Sequence, residues 1–203
     1  MISVNKTIKI LIASDSFFEM AAGFVTPIFA IFLIDSIEGG NIQLAGTAVA
    51  IYWIVKSIFR VPLAYFLDKK RGEKDDYYSM VLGFSLYAIC TFLFLFAKTN
   101  WHIYAIQTMM GIGGAFAYTP WYGFFSRHID KNQENMEWSI SVSITGAVIA
   151  LSGFLAGVLA EKFGFQPIFV ISGFIYLIGI FLLFLFDKKI RKGRVIKAAE
   201  LES

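Results

Sequence analysis

Four ionisable side chains stand in runs otherwise apolar enough for lipid. Asp15 and Glu19 lie in one run, Lys56 and Arg60 in the next, and each pair is spaced four residues apart, which puts it on one helical face. In an antiparallel hairpin Asp15 matches Arg60 in depth and Glu19 matches Lys56, because both pairs share a midpoint between Ile37 and Glu38, beside Gly39 and Gly40. An isolated charge at the centre of a membrane helix costs about 2.5 to 3.5 kcal/mol. The four are therefore expected either to pair or to line a water-filled cavity. Acids beside bases inside a membrane are the common material of proton relays and ion coupling. Glu19 and Lys56, nearer the middle, are the candidates for proton coupling or solute contact. Asp15 and Arg60, nearer one end, are candidates for a gate or brace. The competing reading is a double salt bridge that ties the two helices together and does nothing else.

The aromatic residues Tyr52 and Trp53 on the second run, and Tyr118, Trp121 and Tyr122 on the fourth, are candidates to line a pocket for a small-molecule substrate. Nothing else in the chain points to catalysis. There is no G-x-S-x-G, H-E-x-x-H or P-loop pattern, and His102 and His128 fall at opposite ends of one run, so no enzyme, metal site or cofactor is expected.

The elements that position these residues follow from composition. Of 203 residues 57% are hydrophobic and only 16% charged, and the mean hydropathy is +0.66. Soluble domains carry about 25% charged residues, so the chain is an all-α integral membrane protein whose first partner is the lipid bilayer. A lone Cys90 cannot form an intrachain disulfide, and no basic stripe with exposed aromatics marks a nucleic-acid partner. A spanning helix needs about 20 apolar residues. Six runs qualify, over 7–34, 44–67, 77–97, 101–126, 138–160 and 166–186, giving a single six-helix transmembrane domain over 1–203 with a basic tail at 187–203. The first run is too long and too acidic for a cleavable signal peptide.

Basic residues set the orientation. The N-terminus, second loop, fourth loop and tail hold two, four, two and six Lys or Arg, whereas the opposite loops hold only Lys98 and Lys162. Both termini are expected in the cytoplasm, with the chain multi-pass in the cell membrane.

Thr26-Pro27 and Thr119-Pro120 stand 93 residues apart, and Lys70-Arg71-Gly72 precedes Lys162-Phe163-Gly164 by 92. Near-equal offsets predict a three-plus-three repeat, 7–97 and 101–186, inverted because three is odd; Pro27 and Pro120 are expected to break their helices. A seam of small residues on the fifth run, including Gly146, Gly153 and Gly157, predicts close approach of another helix.

The chain resembles the N-terminal half of a major facilitator superfamily transporter. The family's second-loop pattern, glycine then D-R-x-G and bases, corresponds to Ala64-Tyr65-Phe66-Leu67-Asp68-Lys69-Lys70-Arg71-Gly72, with Ala64 for the glycine, one extra residue before Gly72, and Glu73 where a base is usual. The resemblance implies that Asp68, Lys69, Arg71 and Gly72 form a cytoplasmic gate, with Asp68 holding that side closed. Glu161-Lys162-Phe163-Gly164 is similar to the echo of this pattern after helix 5, GFVTPIF (23–29) to the glycine-to-proline pattern of helix 1, and 127–139 to the fourth loop of bacterial members. The family implies a secondary transporter working by alternating access, with proton coupling through helix-1 acids. Its members usually have twelve helices. A six-helix chain with a polar helix-1 face is expected to form a homodimer of halves; the alternative is a non-transporting scaffold, or a subunit that needs a separate second half.

Overall fold

The apolar runs become helices because a chain in lipid has to satisfy its backbone N–H and C=O groups internally. The computed structural model describes residues 5–70 and 73–201, with side chains over 5–69 and 73–184. In order these are α1 Lys6–Val25, α2 Phe29–Ser36, α3 Ile42–Lys70, α4 Glu73–Leu93 with a short 3-10 turn Phe94–Phe96, α5 Asn100–His128, α6 Glu134–Phe163 and α7 Gln166–Leu201. Together α1 and α2 make the first of six long helical segments. Five of the six are long and apolar enough to cross a membrane. The sixth, α5, has the length at 29 residues, but glycine, tyrosine and tryptophan dilute its hydropathy.

The segments alternate in direction. At one end Asn5 caps α1 by accepting the Ile8 N–H at 2.9 Å, and donates to the His128 carbonyl at 2.7 Å and Asp130 Oδ1 at 3.0 Å, so α1 begins where α5 ends. At the other end the Glu38 N–H donates to the Lys98 carbonyl at 2.9 Å, and Phe32 meets Phe165 edge-on at 5.7 Å. The bundle thus places the starts of α1, α4 and α6 together.

α1 packs on α6 and α7, α4 on α5 and α7, and α3 on α5, while α3 meets the first segment mainly at α2. Lipid removes the hydrophobic drive between helices, so close contact carries their association. A methyl group at Gly23 would run into Ser152 and Ile149 of α6, and one at Gly83 into Ala117 of α5. Phe18 stacks on Phe84 at 3.4 Å between ring centres, within 8° of parallel. Two hydroxyls stitch neighbours together: Ser79 on α4 donates to the Phe116 carbonyl of α5, and Ser172 on α7 to the Ala21 carbonyl of α1, each at 2.8 Å.

The prolines behave differently from one another. Pro27 breaks the first segment, and Thr26 donates its hydroxyl to the Ala22 carbonyl at 2.8 Å beside the break. The expected break at Pro120 is absent, since α5 runs through it. Proline frees the carbonyl four residues back, here that of Phe116, and the Ser79 hydroxyl takes it. Thr119 Oγ1 has no partner among the described residues. A further proline, Pro62, sits inside an unbroken α3.

Two other expectations change. The last helix continues past 186 to Leu201, because the tail is rich in helix formers and holds no proline. The small-residue seam of α6 makes little contact within this chain: a methyl group added at Gly146 or Gly157 would meet nothing within 4 Å, and one added at Gly153 would lie 3.7 Å from the Gly23 carbonyl and from Pro27. Close approach on this side runs through Gly23 instead.

Candidate functional site

Because α3 and α1 touch chiefly near α2, the bundle opens toward the middle, and α5 fills part of the gap. A cavity of about 510 Å³ results, lined by α1, α3, α4, α5 and α7. Glu19, Tyr52, Trp53, Lys56, Tyr118 and Tyr122 all line it. Trp121 does not. Three residues beyond Tyr118 on α5, it turns into the core, 3% exposed, stacked on Phe125 at 5.0 Å and edge-on to Trp138 at 6.1 Å.

The double salt bridge of the competing reading is not formed. Among the described residues neither Asp15 with Arg60 nor Glu19 with Lys56 comes within 4.0 Å. Side-chain contact between these pairs would require the first two spans to touch along their length, whereas α3 meets the first segment mainly at α2. Tyr118 of α5 instead bridges the two charges: its hydroxyl donates to Glu19 Oε1 at 2.8 Å, and its ring centre lies 4.8 Å from Lys56 Nζ. Lys56 donates to the Tyr52 hydroxyl at 2.9 Å and also lies 4.8 Å from the Trp53 ring. Such cation–π contacts stabilise a desolvated ammonium by about 2 kcal/mol. Arg60 sits over the Tyr122 ring at 5.1 Å. Asp15 is buried and its Oδ1 has no partner among the described residues.

Three wall residues carry no signal in the motif reading. Tyr87 shares a hydrogen bond with Tyr52, hydroxyl to hydroxyl at 2.6 Å, and stacks on Tyr176 at 5.6 Å. Gln107 is a buried amide on the same wall. Polar side chains inside apolar runs were the available clue. Gly114 makes the cluster possible, since a methyl there would sit 2.7 Å from the Tyr87 hydroxyl and 3.1 Å from Lys56 Cδ.

Of the expected gate, Asp68 and Lys69 are exposed, Lys69 Nζ lying 4.5 Å from the Tyr65 ring centre; Arg71 and Gly72 lie outside the described residues. At that end of the bundle Arg127 pairs with the buried Asp76, and His128 Nε2 stands 3.5 Å from Glu73.

An all-helical bundle with long apolar helices around a polar, aromatic-lined cavity is the architecture of a multi-pass membrane transporter. The chain belongs to the Major Facilitator Superfamily, whose family model matches residues 12–202. Among solved structures it is similar to the in meso crystal structure of the POT family transporter PepTSo, with a TM-score of 0.67 and 18% identity; the match covers 92% of this chain and 38% of that one. The likeness is one of fold, over well under half of the longer protein.

Proposed function

We propose that the chain is one six-helix half of a proton-coupled secondary transporter, which moves a small solute by alternating access and completes its cavity with a second copy of itself. The observation that carries the proposal is Glu19 and Lys56 in one cavity, unpaired with each other and bridged by Tyr118. A purely structural salt bridge would have brought them into contact. Acid and base kept apart in a cavity are free to exchange a proton or meet a solute.

Two features support a partner unit. The spans of α3 and α6 are only 11% buried, against 44 to 50% for the other three assigned spans. Their exposed faces include Trp53, Phe59, Leu151 and Phe154. The packing also supports the inverted repeat. Exchanging each segment with the one three places on converts the contact of α1 with α6 into that of α5 with α3, and the contact of α1 with α7 into that of α5 with α4. Ser79 and Ser172, the two hydroxyl stitches, stand 93 residues apart, as Pro27 and Pro120 do. Both termini are placed in the cytoplasm on the basic-residue bias.

The test is uptake into proteoliposomes driven by an imposed pH gradient, paired with the particle mass in detergent by light scattering. Two copies per particle, with accumulation lost in Glu19→Gln while solute exchange persists, is the expected result. A stable single copy that moves no solute overturns the self-assembled carrier and favours a unit that needs a separate second half.

A further inference from the structure

The Lys56 ammonium has hydrogen-bonding capacity to spare. It carries three N–H donors, one of which goes to the Tyr52 hydroxyl, and the described residues offer no oxygen for the other two. The side chain is buried, with the residue 8% exposed, and the faces of Trp53 and Tyr118 are weaker partners than an oxygen. The carboxylate that could have filled this place, Glu19, is held by the Tyr118 hydroxyl. A buried cation with unused donors is costly unless something fills them.

We propose that the cavity binds an organic monocarboxylate with an apolar or aromatic body, its two oxygens accepting the unused Lys56 N–H groups. This deepens the transport reading and rests on it only in taking the cavity as the solute site. The unused Lys56 N–H groups call for oxygen acceptors, which a carboxylate supplies twice over and an ammonium group cannot, and the cavity's own acid, Glu19, already accepts from the Tyr118 hydroxyl. The body has its own surface, since Phe29, Val49, Trp53, Phe94 and Met110 line the same space. A volume of about 510 Å³ lies within the range of small-molecule sites.

The probes are benzoate, benzamide and benzylamine, which share one ring and differ in charge. Each is titrated by calorimetry into the full-length protein in non-ionic detergent, against empty micelles. Benzoate is expected to bind at least tenfold more tightly than either of the others. Lys56→Gln should lose that tenfold and leave benzamide unchanged, whereas Lys56→Arg should keep the preference. A preference below tenfold, tightest binding by benzylamine, no binding of benzoate, or a Lys56→Gln protein that still prefers benzoate each overturns the proposal. If Lys56→Gln does not fold, the wild-type ranking decides. Transport is scored separately: a benzoate preference in a protein that moves no solute leaves this site standing and sinks the carrier, while gradient-driven uptake with no benzoate preference does the reverse.

Discussion

Tyr118 donates its hydroxyl to Glu19 Oε1 at 2.8 Å, joining α5 to α1 across 99 residues of chain. The same phenol presents its ring to Lys56, so one side chain serves both signs of charge. A hydrogen bond to an ionised group contributes about 1.5 to 3 kcal/mol. Thermal melts of Tyr118→Phe, Glu19→Gln and the double variant should therefore show a coupling energy of about 1.5 kcal/mol or more. Additive effects would mean that the contact contributes nothing.

Asp15 brings a carboxyl into the interior of the bundle. It is 6% exposed and its Oδ1 finds no partner among the described residues. Burying such a group without compensation costs on the order of 1 to 3 kcal/mol. Asp15→Asn keeps the shape and removes the charge, so it should melt at the same temperature as the parent or higher, with gradient-driven uptake reduced at least tenfold. A clear drop in melting temperature would place Asp15 among the stabilising groups instead.

The ion pair of Arg127 with Asp76 ties the end of α5 to the start of α4. Asp76 is buried, while the Arg127 side chain is 46% exposed, so solvent screens the pair. Arg127→Ala should cost about 1 to 2 kcal/mol, less than the 3 to 5 typical of a fully buried pair. Adding Asp76→Asn should recover part of that loss, because the orphaned carboxylate is the source of the penalty. Denaturation in detergent with both variants checks the sign.

Much of this was legible in the sequence because lipid leaves few options. Length and hydropathy dictate six helices, and Pro27 ends α1 as its chemistry requires. Depth matching also placed Glu19 and Lys56 at one level, and both line one cavity. The missing step was lateral. Nothing in the spacing of two helices states that a third, α5, stands between them, so hairpin register alone leaves open both salt bridges and a shared cavity, and the bundle forms no salt bridge between these residues. Pro120 fails as a break for a similar reason: the hydroxyl that satisfies the freed carbonyl comes from Ser79, 37 residues away in sequence. Trp121 was misplaced because a cluster of three aromatics covers more than one helical face, and only Tyr118 and Tyr122, four apart, look into the cavity.

Gly146 and Gly157 separate the role of the seam from the folding of the monomer. Both are exposed, and a methyl group added at either would meet nothing within 4 Å, so a larger side chain there can point away from the rest of the chain. Helix propensity even favours the change, since glycine in a helix interior costs about 1 kcal/mol relative to alanine. If a second unit docks on the exposed face of α6, two leucines should hold the backbones apart. The expected result for Gly146→Leu with Gly157→Leu is an unchanged or slightly raised melting temperature, and at least a tenfold weaker association of the two copies by light scattering on dilution. Unchanged association would move the interface to α3, where Trp53, Ile58 and Val61 offer the other exposed face.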